Sequence, residues 1–310
     1  MPLTVFYDPG FAAPIGDHVM PITKFALVAD VVRTQFPTVS IQRPLPVTRE
    51  DLLRVHSPAY IAAIETGEPR ALAQSQKFPW SPQLFPSVNL TNGGVLAAAR
   101  HALSHGTSAA LASGFHHACA DHGEGFCTFN GLVVALESLR ASGEVRTAAI
   151  LDLDLHYGNG TAQLAAERPW IQALSLYGND YWQNTCFRDV RHLHHADGAN
   201  HTSAPLIPSG GSDRGILLSA LAEHLPWLIR AGKPDILLYQ AGADPYREDP
   251  YSPLNLDFDD LKERDRIVFQ FAKSQEIPIA WVLAGGYTPD ISKIVAVHAN
   301  TISAWSEVFS

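Results

Sequence analysis

Apolar runs alternate with helix-period segments along almost the whole chain. Residues 3–7 read as a short strand, and residues 23–36 repeat apolar side chains at helical spacing. A Pro-bounded stretch around residues 39–41 suggests a second strand. Thr48 and Asp51 make a capping-box start for a short helix, and Ser57-Pro58 opens the next. Residues 66–92, with clusters of Pro, Ser, Gln and aromatics, are expected to be irregular. Residues 93–104 form a small-residue helix, 108–113 a strand, and Asn130 caps a helix that Gly143 stops. Strands follow at 148–155, 171–177, 236–240 and 277–283. Helices are expected at 213–230, with a kink at Pro226, at 259–274 and at 289–308. Near-continuous apolar strands alternating with helices imply a parallel sheet covered on both faces. The expected architecture is α/β, three layers α/β/α around a central, mostly parallel sheet. Without repeat, linker or low-complexity segment, residues 1–310 read as a single domain.

The polar residues of interest fall where strands end. Residues 148–151 are apolar and run into Asp152-Leu153-Asp154-Leu155-His156-Tyr157-Gly158-Asn159-Gly160. Period-two alternation sends Leu151, Leu153 and Leu155 one way and Asp152, Asp154 and His156 the other. Two carboxylates and an imidazole on one face of a buried strand are costly unless a cation relieves them, and this donor set suits zinc. Ligands in open α/β sheets bind beyond the carboxyl ends of the strands. The strand at 108–113 exits into His116-His117, the strand at 236–240 into Asp244, and the strand at 277–283 into Gly285-Gly286-Tyr287. Four exits thus bring an Asp-x-Asp-x-His, a histidine pair, an aspartate and a tyrosine to one rim. Asp154, His156 and Asp244 would leave a zinc position open for water and a carbonyl. The histidine pair would supply base and acid, and Tyr287 a hydrogen bond to an oxyanion. The set describes metal-assisted hydrolysis of an amide.

The same residues resemble the zinc-dependent histone deacetylase family, within the arginase/deacetylase superfamily. The resemblance rests on Gly114-Phe-His-His-Ala118, Gly125-Phe-Cys127 with Asn130, Asp152-Leu-Asp-Leu-His156 with Gly158-Asn-Gly160, Ala241-Gly-Ala-Asp244 with Asp249-Pro250, and Gly285-Gly-Tyr287. It implies the arginase/deacetylase fold, a catalytic domain over 1–310, and removal of an acetyl or other acyl group from an amine such as acetyl-lysine. By resemblance, Asp154, His156 and Asp244 bind Zn2+, and His116 and His117 are catalytic. Asp152 then orients His116, and Tyr287 polarises the acyl carbonyl. Gly125 and Phe126 line the acyl tunnel, and Tyr251 stands where an apolar tunnel residue is usual. A potassium ion is implied at Asp152, Asp154, His156, Ser175 and Leu176. Asn159 replaces the aspartate that class I members place behind the second histidine; as an amide it leaves His117 more readily neutral and able to act as base. His18, Met20-Pro21, Lys24-Phe25 and the 78–82 loop look closest to class IV and bacterial members.

Composition narrows the alternatives. A formal net charge of -9 with 17% charged residues gives no basic stripe for direct nucleic-acid binding. Three cysteines without C-x-x-C spacing suit a reducing, cytoplasmic setting, and no run of about 18 apolar residues suggests a membrane span. His192, His194, His195 and His201 sit in a Gly/Asn/Asp-rich loop and read as a substrate-facing rim rather than a second zinc site. Cys127 reads as a small buried residue rather than a nucleophile. A binuclear ureohydrolase would need further carboxylates, yet Gly158 and Tyr246 stand four and two residues past Asp154 and Asp244. A non-catalytic acyl-amine binder would have lost a ligand, a histidine or the tyrosine, and all are present. A small-molecule deacylase, such as an acetylpolyamine amidohydrolase, would use the same residues on a cationic substrate.

Overall fold

The computed structural model describes residues 2–179 and 198–310. Eight strands form one sheet: β1 (Thr4–Phe6), β2 (Ser40–Gln42), β3 (Thr107–Ser113), β4 (Ala148–Asp152), β5 (Ile171–Tyr177), β6 (His201–Pro205), β7 (Ile236–Ala241) and β8 (Ile279–Leu283). Their order is β2-β1-β3-β8-β7-β4-β5-β6, and every neighbouring pair is parallel. Among the described residues ten α-helices accompany them: α1 (Lys24–Gln35), α2 (Arg49–Leu53), α3 (Pro58–Thr66), α4 (Arg70–Ala73), α5 (Leu84–His105), α6 (Gly131–Ala141), α7 (Asn159–Ala166), α8 (Arg214–His224), α9 (Phe258–Ser274) and α10 (Ile291–Phe309).

Strand alternation sorts the core into two layers. Val5, Ala109, Leu111, Ala149, Leu151, Leu237, Tyr239 and Trp281 pack on one face with α1, α8, α9 and α10. Phe6, Ala110, Ala148, Ile150, Ile236, Leu238 and Val282 pack on the other with α3, α5, α6 and α7. The sheet is thus enclosed as its apolar strands require.

Several boundaries differ from the sequence expectation. β4 stops at Asp152, and residues 153–155 leave the ladder. The sorting of side chains survives, because Leu153 and Leu155 remain in the same apolar layer as Leu151. Residues 66–92 are not irregular throughout: α4 lies there, and α5 begins at Leu84. Pro86 is tolerated in the first turn, where its missing N–H has no helical partner. Thr91 Oγ1 and Asn92 Nδ2 donate back to the Val88 carbonyl at 2.9 and 2.8 Å, so a polar stretch is accommodated inside the helix. The 213–230 helix ends as α-helix at His224 and continues as a 3-10 turn over Leu225–Ile229, where Pro226 interrupts the ladder. His201, expected in a loop, opens edge strand β6, whose His-Thr-Ser-Ala-Pro sequence carries no apolar run to announce it. His192, His194, His195 and Cys186 lie outside the described residues.

Candidate active site

The rim at the carboxyl ends of β3, β4, β7 and β8 gathers the expected side chains. Asp154, His156 and Asp244 each present an oxygen or nitrogen within 4.8 Å of the others, and all three are buried. His156 Nδ1 lies 3.1 Å from both Asp154 Oδ1 and Asp244 Oδ2. Backbone amides pin the carboxylates: His156 N–H donates to Asp154 Oδ1 (2.9 Å), Gly285 N–H to Asp154 Oδ2 (2.7 Å) and Leu155 N–H to Asp244 Oδ1 (2.9 Å). Glycine is required at 285, because a Cβ there would lie 1.9 Å from Asp244 Oδ2. Burial, then the charge of Asp154, push Asp244 up to about 7. Against its burial, His116 and His156 hold Asp154 well below the usual carboxylate range, so the penalty falls on Asp244, and two buried carboxylates beside one imidazole fit a divalent cation.

Beside this trio stand His116 and His117, their rings 4.0 Å apart. Both are buried, and the His116 carbonyl accepts from Thr161 N–H at 2.9 Å, tying the β3 exit to α7. His116 Nδ1 is 2.7 Å from Asp152 Oδ2, and His117 Nδ1 is 2.6 Å from Asn159 Oδ1. Their environments push them apart. Burial lowers the His116 pKa, but Asp152 and Asp154 outweigh it and hold the imidazole above its usual value. His117 is driven well below the usual range by burial and then by the neighbouring His116 and His156. One histidine is suited to carry a proton and its neighbour to accept one.

Tyr287 completes the ring of groups. Its N–H donates to Asp249 Oδ2 at 2.7 Å, and Asp249 Oδ1 accepts from Tyr251 N–H at 3.0 Å, so one carboxylate anchors both tyrosines. The Tyr287 ring lies 6.0 Å from both His156 and Phe126 and 5.1 Å from Tyr251. Phe126, at a positive φ of 64°, follows Gly125 at 46° and packs against His18 (4.9 Å) and Phe78 (5.8 Å). Phe126 and Tyr251 therefore both pack beside Tyr287, and Tyr251 also lies 6.0 Å from the His156 ring. Ser175, paired with Asp152 across β4 and β5, is buried, and its hydroxyl has no hydrogen-bond partner among the described residues. That orphaned oxygen beside Asp152 is of a kind that a monovalent cation would satisfy.

The sequence reading passed over four supports. Lys24 is fully buried and donates to the Ala284 carbonyl next to Gly285; its burial lowers it to about 8 against the charges of Asp244, Asp154 and Asp249. Arg264 of α9 donates to the carbonyls of Gly242 (2.8 Å) and Leu153 (3.2 Å), tying the β7 and β4 exits together. Asp249 and Glu124 stand behind Tyr287 and Asn159. The Lys24-Phe25 and Asp249-Pro250 pairs were visible as motifs, but their spacing says nothing of what they touch. Cys127 is buried, and burial raises its thiol pKa, as expected of a residue that is not a nucleophile.

Comparison with known proteins places this arrangement. Residues 18–302 match the model of the histone deacetylase domain family. An uncharacterised protein of Picosynechococcus sp. is 29% identical over 313 residues, covering all of both chains. Acetylpolyamine amidohydrolase 1 of Pseudomonas aeruginosa is 32% identical over 187 residues, 59% of this chain and 51% of that one. The fold is similar to the crystal structure of the HDA15 HD domain, with a TM-score of 0.78 and 20% identity over 99% of this chain and 92% of that one. Among the described residues, no helix is long and apolar enough to cross a membrane.

Proposed function

The chain belongs to the histone deacetylase domain family, and from that premise we propose that it is a zinc-dependent amidohydrolase removing an acetyl or other acyl group from an amine. The observation that carries this reading is the convergence of the buried Asp154–His156–Asp244 trio, a histidine pair of opposed proton affinity and Tyr287 on one rim. Zinc held by the trio supplies Lewis acidity for the amide carbonyl and the attacking water. His117, held neutral, takes a proton from that water. His116, its charge balanced by Asp152, gives a proton to the departing amine. Tyr287 directs its hydroxyl to the oxygen on which charge develops. Gly125 and Phe126 on one side and Tyr251 on the other guide the acyl-amine arm and exclude water. Asp152, Ser175 and Leu176, with the Asp154–His156 segment, would hold a potassium ion, whose charge would offset the Asp152 carboxylate at the base of the site.

Purified protein carrying about one equivalent of zinc should release acetate from an acetyl-lysine peptide. Hydroxamates and Asp154→Ala should abolish turnover; activity that survives Asp154→Ala refutes the reading. The relationship to acetylpolyamine amidohydrolase 1 supports a second substrate class, and the net charge of -9 is compatible with a polycationic amine. Parallel kcat/KM measurements on acetylated peptide, acetylputrescine and acetylspermidine discriminate the two.

A further inference from the structure

The two histidines rest on unequal partners. Asp152 behind His116 is a carboxylate, which only accepts hydrogen bonds when ionised. Asn159 behind His117 is an amide, which can face the imidazole with either end. With its oxygen forward, His117 must carry its proton on Nδ1, and Nε2 keeps its lone pair. With its NH2 forward, Nδ1 must accept, the proton moves to Nε2, and the ring cannot take another there. The choice is made at the far end of the amide. Asn159 Nδ2 lies 2.8 Å from Glu124 Oε2 while Oδ1 lies 2.6 Å from His117 Nδ1.

We propose that Glu124 is a positioning residue: its carboxylate draws the NH2 of Asn159, turns the amide oxygen to His117, and so fixes the tautomer in which Nε2 is unprotonated. The inference rests on His117 acting as the base in the proposed reaction. Glu124 is well placed for this role. Its side chain is only 16% exposed, and its loop is tied down by Gly123 N–H to Ser75 Oγ (2.9 Å), Cys127 N–H to the Glu124 carbonyl (2.7 Å) and Phe126 N–H to the Gln76 carbonyl (3.0 Å). The other carboxylate oxygen, Oε1, lies 3.0 Å from His122 Nε2, and His122 Nδ1 lies 2.6 Å from Asp121 Oδ1. Against its partial burial, Asp121 and Glu124 hold the His122 imidazole above its usual value, which favours the charged form that offsets Glu124. The ordered line Asp121–His122–Glu124–Asn159–His117 thus runs from the surface to the buried base. A carboxylate two hydrogen bonds away takes over the orienting task that an adjacent aspartate would perform directly.

The tautomer is read by two-bond 1H–15N spectra of the zinc-loaded, 15N-histidine-labelled protein, with His117 assigned by its loss in His117→Phe. Native protein should show His117 protonated on Nδ1, and Glu124→Leu should shift the population toward the Nε2 form. An Nε2 proton in the native protein, or an unchanged tautomer in Glu124→Leu, overturns the proposal. Kinetics supply a second test. Glu124→Gln, which preserves shape, should lower kcat several-fold and Glu124→Leu about tenfold, with KM unchanged. In an Asn159→Asp background the sign reverses: the new carboxylate opposes Glu124, so adding Glu124→Gln raises kcat. A change in the same direction in both backgrounds overturns the proposal. If native protein shows the Nδ1 tautomer and its dependence on Glu124 yet hydrolyses no acyl amine, the reaction assignment fails while the positioning role stands.

Discussion

At the scale of single residues, the site separates fixing from reacting. Tyr287 is held through its backbone N–H on Asp249 and through ring contacts with His156 and Tyr251, holds that a phenylalanine would keep. Tyr287→Phe should therefore leave the unfolding midpoint unchanged while kcat falls about 100-fold, the scale expected for losing one oxyanion donor. A steady-state comparison on acetyl-lysine peptide checks this, and undiminished kcat would remove Tyr287 from the mechanism. Residue type was legible at these positions because carboxylates and imidazoles at the ends of apolar strands demand an explanation. Glu124 was not, since one glutamate in a loop of the sequence points nowhere until the fold sets it against Asn159.

At the scale of elements, four parallel strands bring the reactive groups to a common edge and loops give them orientation. The loop that joins β3 to α6 depends on His56. His56 Nδ1 lies 2.9 Å from the Cys119 carbonyl, and Nε2 accepts from Asn130 N–H at 3.0 Å, so the ring is a neutral bridge across the loop. Burial lowers its pKa to about 4. The unfolded chain binds this proton near pH 6.5 and the folded one only near pH 4, so the contribution is present above pH 6.5 and lost as pH falls toward 4. Between pH 7 and 5 it amounts to about 2 kcal/mol at 1.36 kcal/mol per unit. His56→Leu should be less stable at pH 7 in urea yet lose less stability on going to pH 5. An equal loss in both proteins would refute the bridge. The capping box at Thr48 and the caps at Ser57 and Asn130 were readable from sequence because they are local. The start of α5 and edge strand β6 were not, since their polar residues are stabilised by packing and pairing rather than by their own pattern.

For the whole molecule, a cation held by the buried Asp154–His156–Asp244 trio, as proposed, would make its binding part of stability. Zinc at a thousandfold excess over its dissociation constant should raise stability by about 4 kcal/mol, or roughly 6 °C for a chain of this size. Chelation should reverse the gain. Asp244, pushed up to about 7 without a cation, must release its proton when zinc binds, so the zinc-induced rise in Tm should shrink as pH falls below about 7. Scanning calorimetry with and without chelator at pH 8 and pH 6 measures both effects. A rise in Tm independent of pH would show that binding displaces no proton.

Much of this protein is determined by sequence alone. Apolar strand runs demand a covered parallel sheet, and Asp-x-Asp-x-His, His-His, Asp244 and Gly-Gly-Tyr at their ends select the chemistry, because both are consequences of period and residue type. Tertiary structure decided what depends on distance between remote segments. It set Arg264 under the β4 and β7 exits, Lys24 against Ala284, one carboxylate beneath two tyrosines, and Glu124 behind Asn159. Apart from the Asp249–Tyr251 contact, such pairings join residues tens to hundreds of positions apart. Their hydrogen bonds exist only once the sheet is ordered and its exits share an edge.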